Sequence, residues 1–153
     1  MRDGVRHAVA LVAGRATGQP LVLDEPLSFW GGLDATTGTI VDTHHPQCGR
    51  SVVGRILVLP RGRGSSSSSS VLAEALRNAV GPAGIVLGAV DPIIALGCLV
   101  ARELYGTRTP VAVVSDADAY RACTFAAELS VDANDTHALV WVVDEDAGVR
   151  TSR

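Results

Sequence analysis

The run Ile56-Leu57-Val58-Leu59-Pro60-Arg61-Gly62-Arg63-Gly64-Ser65-Ser66-Ser67-Ser68-Ser69-Ser70-Val71-Leu72-Ala73-Glu74-Ala75-Leu76 decides how this chain is read. Four apolar residues in a row, closed by Pro60, spell a strand buried on both faces. From Val71 onward the apolar positions are Val71, Leu72, Ala75, Leu76 and Ala79, the spacing of one helix face. A serine tract is ordinarily a flexible spacer. A spacer separates domains, however, and here a strand ends directly before the glycines and a helix begins directly after the serines. The tract is therefore expected to form the first turn of that helix.

Working outward, Gly81-Pro82 leads into a second buried strand, Ala83 to Leu87. Asp91-Pro92 then supplies an N-cap with proline at the first helical position, and that helix runs to about Tyr105, where Gly106 ends it. Val111 to Val114 is a further buried strand. Strands separated by single helices imply right-handed parallel β-α-β units. Nearer the N-terminus, His7 to Ala13 reads as a strand, Gly14 to Gly18 as a turn, and Pro20 to Leu23 as a short strand. Near the C-terminus, Phe125 to Asp132 and His137 to Val143 are two strand-like runs around Ala133-Asn134-Asp135-Thr136, the pattern of a hairpin. The acidic residues Asp144-Glu145-Asp146 read as a solvated end. The fold class is α/β: mixed β-sheets with a central β-α-β unit, in one domain spanning residues 1–153. Between Asp24 and Gly54 lies a long Gly-rich stretch in which aromatic residues stand beside glycines, the mark of an ordered functional loop.

Composition excludes several classes of function. Hydrophobic residues are 47% and charged residues 19% of the chain, which excludes a disordered polymer and leaves apolar surface for a partner. The net charge of −3 comes from 13 basic and 16 acidic residues spread along the chain, so nothing marks a nucleic-acid ligand. All 13 basic residues are arginine, the imprint of a GC-rich genome on codon choice, and this removes lysine mechanisms. Cys48, Cys98 and Cys123 are far apart and form no C-x-x-C pair, which suits a reducing cytoplasm. Val9 to Ala13 is too short for a signal-peptide core, and no apolar run approaches the ~20 residues that span a bilayer. His44, His45 and Cys48 offer too few ligands for a closed metal site, so His45-Pro46 reads as a structural turn. Cys98 sits on an apolar helix face and reads as core.

A helix that begins in serines presents free amides and the positive end of its dipole to a row of hydroxyls, with Arg61 and Arg63 close by. The residues alone favour an anion seat over a linker and do not by themselves argue catalysis. A self-sufficient serine hydrolase is disfavoured, because Gly-x-Ser-x-Gly is missing and no triad can be assembled. Phe29 and Trp30 are expected to be buried, either against a partner or in the domain's own core.

Taken together, Ser28-Phe29-Trp30-Gly31-Gly32-Leu33-Asp34, Thr37-Gly38-Thr39-Ile40, His45-Pro46, Gly49 and Pro60-x-Gly62-Arg63-Gly64-Ser65, then Asp91-Pro92-Ile93 and Gly97, resemble the swivel domain of the aconitase X family. The resemblance runs from about Gly14 to Val114. It implies a swivelling β/β/α domain, fused to or paired with a larger one that holds an iron-sulfur or iron centre. It further implies that this chain is the small subunit of a hydro-lyase, binds no cofactor itself, and is active only in a heterodimer or higher complex with a large catalytic subunit.

Family members dehydrate small hydroxy acids, including cis-3-hydroxy-L-proline and mevalonate 5-phosphate. The small domain supplies a serine base, while the partner's iron acts as Lewis acid on the departing hydroxyl. By position Ser65 matches that base, with Ser66 as the competing register. Arg63, Gly64, Ser66 and Ser67 would form the anion seat, and Phe29, Trp30, Gly31, Gly32, Asp34 and His45 are cleft or interface candidates. A serine hydroxyl is a weak acid, and a helix N-terminus contributes only about 0.3–2 kcal/mol to an anion, roughly one pKa unit. Further positive charge is needed, in keeping with a site completed at a subunit interface. The GC-rich composition favours cis-3-hydroxy-L-proline, with mevalonate 5-phosphate as the alternative; a non-catalytic anion-binding or regulatory module is the reading from another class.

Overall fold

Ile56, Leu57, Val58 and Leu59 are all fully buried, because the strand they form has a hydrophobic core on each face. A computed structural model of the chain describes residues 4–143. In chain order the elements are β1 (Arg6–Val12), β2 (Gly14–Gly18), β3 (Pro20–Val22), the short kinked turn α1 (Phe29–Gly32), β4 (Leu33–Asp34), β5 (Thr39–Ile40), β6 (Ile56–Leu59) and α2 (Ser68–Arg77). They continue with β7 (Gly84–Leu87), α3 (Pro92–Tyr105), β8 (Val111–Val113), α4 (Ala117–Thr124), β9 (Leu129–Ala133) and β10 (His137–Val142).

One eight-stranded sheet has the order β2-β9-β10-β1-β8-β7-β6-β3. Its β8-β7-β6-β3 half is parallel, while β2, β9, β10 and β1 pair antiparallel. Side chains alternate across the parallel strands. Leu57, Leu59, Ile85, Leu87, Val111 and Val113 face the core shared with α2 and α3. Ile56, Val58, Val86 and Ala112 face a second core, which the antiparallel half closes with Val131, Ala133, Ala138 and Val140. The result is three layers, helix, sheet and sheet: the β/β/α architecture, with β6-α2-β7-α3-β8 as its β-α-β centre and the strands near both chain ends as its β-rich part. Helices α2 and α3 pack closely at Gly97, where an added Cβ would lie 2.9 Å from the Ser69 carbonyl oxygen.

Several sequence expectations need correction. Gly14–Gly18 is a strand paired with β9 along its length, not a turn. Its small residues permit close approach to the opposite wall: Ala16 packs in the second core, and a Cβ on Gly84 would lie 3.2 Å from the Ala16 Cβ. Glycine here marks proximity rather than reversal. Residues 125–128 are not strand, because the preceding segment forms α4, capped by the Asp116 carboxylate accepting the Ala119 amide at 2.8 Å. The pairing of β9 with β10 otherwise follows the expected hairpin. The stretch 24–54 is a built lobe: β4 pairs with β5, and Leu27, Phe29, Leu33, Ile40 and Val52 are buried in the main core. The Asp144-Glu145-Asp146 tail lies outside the described residues.

Helix α3 starts and stops as its sequence signals require. Asp91 caps it, Pro92 occupies the first turn, and Gly106 ends it in the left-handed conformation with φ 71.

Candidate functional site

The site is assembled where the parallel strands release their chains. Beyond β6, Pro60 accepts the amides of Gly88 and Ala89 through its carbonyl. Gly62 bridges Leu27 in parallel, and the Arg63 amide donates to the Leu27 carbonyl at 3.0 Å. The Gly62 amide donates to Asp91 Oδ2 at 2.8 Å. Gly64 has φ +92, and a Cβ there would lie 2.7 Å from Ser28 Oγ. Only glycine meets both the backbone and the space requirement at that turn.

The serines divide. Ser65 Oγ accepts the Ser67 amide at 3.1 Å, and its carbonyl accepts the Ser68 amide at 3.0 Å. Ser65 thus tops a tight turn that feeds α2, whose regular residues start at Ser68, within the serine tract as expected. Ser65, Ser66 and Ser67 are all exposed, but only Ser65 of the three lines the cleft described below. Ser68 is 4% exposed, and its Oγ accepts the Trp30 amide at 3.1 Å, which pins α1 to α2. The first turn of α2 carries no acidic residue, so its positive end is not neutralised from within.

These elements enclose a cleft of about 270 Å³, walled by the 61–65 loop and Ser68 on one side and by Asp91, Ile93 and Ile94 on the other, over the buried Leu27 and Phe29. It lies outside the carboxyl ends of parallel strands, the usual place for a ligand in such sheets. The two helix N-termini that meet there differ. That of α3 is filled by Asp91, whose Oδ1 accepts from Ile93 at 3.0 Å and Ile94 at 3.1 Å. That of α2 is closed by its own serines and does not leave the free amides expected from sequence: Ser65 Oγ takes the Ser67 amide, and the carbonyls of Ser65, Ser66 and Ser67 take those of Ser68, Ser69 and Ser70, while Arg61 and Arg63 line the cleft beside it. Arg63 is only loosely engaged, 3.9 Å from Asp42. A larger trough, about 420 Å³, runs over the outer face of β2, β9 and β10. Its polar groups already satisfy one another, Arg15 with Asp132 at 3.0 Å and Thr17 with Ser130 at 2.6 Å.

Of the residues singled out from sequence, Ser65, Arg63 and Gly64 line the cleft, and so does Phe29. Ser66 and Ser67 do not. Phe29 and Trp30 part company: Phe29 is 1% exposed and Trp30 is 61% exposed. Gly31 lies at the surface, and Gly32 is buried against Leu27. Asp34 accepts the Thr36 amide at 2.8 Å and shapes the β4–β5 turn, outside the cleft. His45 is buried, with Nδ1 accepting the Gln47 amide at 3.0 Å and Nε2 in hydrogen-bond contact with the Glu25 carbonyl at 3.2 Å. Both ring nitrogens are occupied, as the structural-turn reading requires. Sequence reasoning passed over Ser68, whose role depends on register within identical residues, and over Asp91 as a wall of the cleft. The Asp-Pro pair announced a cap but not its second bond.

Among the described residues no three His, Cys, Asp or Glu side chains are grouped so as to hold a metal ion, and no helix is long and apolar enough to cross a membrane.

Residues 6–140 match the family model described as the aconitase X swivel domain. The chain is 46% identical over 106 residues, 69% of its length, to cis-3-hydroxy-L-proline dehydratase of Pseudomonas aeruginosa, and covers 18% of that protein. It spans about a fifth of the length of the hydroxyproline dehydratases it matches. It is also 43% identical to the phosphomevalonate dehydratase small subunit of Methanothermobacter thermautotrophicus, covering 58% of this chain and 67% of that one. The crystal structure of Thermococcus kodakaraensis aconitase X in its holo-form superposes with a TM-score of 0.74 at 29% identity, over 91% of this chain and 99% of that one. With a match running from the first strand into the last, and the same fold in a solved relative, this chain belongs to the aconitase X swivel domain family.

Proposed function

We propose that this chain is the small subunit of a cytoplasmic hydro-lyase, working with a larger catalytic subunit on a small hydroxy acid, with cis-3-hydroxy-L-proline as substrate and Ser65 as general base. The observation that carries the reading is that Ser65, two residues before the N-cap of α2, lines a cleft together with Arg61 and Arg63. The backbone amide that Ser65 Oγ accepts interacts more strongly as charge builds on the oxygen. The α2 end and the two arginines act in the same direction. Arg61, Arg63, Gly64 and Ser65 are exposed, and a partner seated over them would exclude water and raise the worth of each charge.

On this reading the substrate carboxylate is drawn to the α2 end and the arginines, and Ser65 takes the proton from the carbon beside that carboxylate. On the same reading an iron-sulfur or iron centre would belong to the larger subunit and would supply the Lewis acid for the departing hydroxyl. The name of the Pseudomonas aeruginosa relative supports the choice of hydroxyproline; the archaeal relative's name makes mevalonate 5-phosphate the competitor to assay beside it.

The test is reconstitution. The isolated chain is expected to be inactive, and mixing it with the large subunit is expected to give dehydration of cis-3-hydroxy-L-proline. Ser65→Ala should lower kcat of that complex by about 10²- to 10⁴-fold, the range of a positioned base, while Ser66→Ala leaves it near wild type. A fully active Ser65→Ala complex would overturn the assignment. Binding of a simple anion by the isolated chain, with no activity in any complex, would instead support the regulatory module.

A further inference from the structure

Asp91 stands where the loops leaving β6 and β7 meet, and its two carboxylate oxygens do different things. Oδ1 accepts the amides of Ile93 and Ile94 and caps α3. Oδ2 accepts the amide of Gly62, 29 residues earlier in the chain, at 2.8 Å. Capping accounts only for the first. A serine, threonine or asparagine caps a helix about as well with one oxygen, so the second oxygen must be explained by what it holds.

It holds the base of the loop that carries Ser65. Gly62 is also bridged to Leu27, and the Arg63 amide is bonded to the Leu27 carbonyl at 3.0 Å. From there the chain turns through Gly64 into Ser65. Gly62 is packed tightly against the carboxylate, since a Cβ added to it would lie 2.6 Å from Oδ2 and 3.2 Å from Ile94 Cδ1. The loop is thus clamped between Leu27 and Asp91, and the clamp on the α3 side is the Asp91 bond. Without it, α2 is still pinned to α1 through the Ser68–Trp30 contact, but the Arg61–Ser65 segment loses its registration on α3.

We propose that Asp91 is a positioning residue of the dehydration, acting through Gly62 to hold Ser65 against the cleft. The proposal rests on the reading of Ser65 as the base. Asp91→Ser separates the two bonds, because a serine can still cap α3 but is too short to reach Gly62. Asp91→Asn is the second variant: it keeps one oxygen for the cap and turns an amide donor toward the Gly62 N–H.

In the full chain, amide hydrogen exchange measured by NMR should speed up at least about tenfold at Gly62, while Ile93 and Ile94 stay within about threefold of wild type, as expected for loss of one charge-assisted hydrogen bond. In the complex with the large subunit, kcat per folded complex should fall by about 10- to 100-fold, the effect of misplacing a catalytic group by about an ångström, with KM for cis-3-hydroxy-L-proline much less altered. A merely structural role would lower the folded fraction and leave kcat per folded complex in place.

Unchanged exchange at Gly62 in both variants, or faster exchange with kcat retained, overturns the proposal. A Ser65→Ala complex with full activity removes the base and the positioning role together. A silent Ser65→Ala complex beside a fully active Asp91→Ser complex removes Asp91 alone.

Discussion

Ser65, Ser66 and Ser68 carry the same side chain in three surroundings: a cleft wall, an exposed turn, and a buried contact to the Trp30 amide. What distinguishes them is one or two residues of register at a helix start, where each step rotates a side chain by about a quarter turn. Cys98 shows the opposite case, a residue whose environment was readable from its apolar neighbours. Burial pushes its thiol up to about 12 from the ordinary 9.0. The folded protein therefore keeps that proton over a range in which the unfolded chain releases it. The contribution to stability is complete below pH 9 and is lost as pH rises toward 12, by up to about 1.4 kcal/mol per pH unit. Tyr120, raised to about 12 by burial first and then by the charges of Cys123 and Asp24, acts in the same direction. Urea midpoints at pH 8 and pH 10.5 should differ accordingly, with the lower one at pH 10.5, and Cys98→Ala should reduce the difference; equal midpoints would contradict this burial.

At the scale of elements, α2 ends in an unusual way. The Val80 amide donates to the Ala75 carbonyl at 3.0 Å and the Ala79 amide to the Leu76 carbonyl at 3.1 Å, a closure that puts the intervening residue in the left-handed region. That residue is Ala79, with φ 57, and not the glycine usual there. The left-handed conformation costs a non-glycine residue about 1–2 kcal/mol, and glycine gives back about 0.5–1 kcal/mol through its unfolded-state entropy. Ala79→Gly should thus raise the unfolding free energy by about 0.5–1 kcal/mol, measured by urea titration; a lower value would mean that the Ala79 methyl group packs more favourably than the backbone suffers. The helix period had counted Ala79 within the helix. Periodicity reports which face is apolar, but the stop is set by the closure, and the next strand must turn back within a few residues.

For the whole molecule the informative pair is Phe29 and Trp30. Adjacent in sequence and alike in hydrophobicity, they point into the core and into solvent respectively, because the kinked turn places them on opposite sides of the chain. Phe29→Ala should lower stability by about 3–5 kcal/mol, as for other large aromatic truncations in a core. If the chain works with the large subunit proposed above, Trp30→Ala should leave the melting temperature in place and weaken that association by at least about tenfold, as an aromatic anchor at an interface does. Val90, 62% exposed, directly precedes Asp91 of the cleft wall. A Trp30→Ala chain that assembles with undiminished affinity would move the docking surface elsewhere.

The amino-acid order alone determined the β-α-β centre, both helix starts and the link between the Gly-Arg-Gly-Ser loop and a helix N-terminus, since apolar period, proline, glycine and capping residues all act over a few positions. It also carried the family, through a set of short motifs spread from Ser28 to Gly97. Tertiary structure decided the rest: that Gly14–Gly18 is a strand, that Ser65 rather than Ser66 reaches the cleft, that Phe29 is core and Trp30 surface, and that the Asp91 cap also grips Gly62. Each of those depends on a contact between segments far apart in the chain, such as β2 on β9 or Gly62 on Asp91. A local pattern cannot specify such a contact, because the partner that supplies its energy is not in the same stretch of sequence.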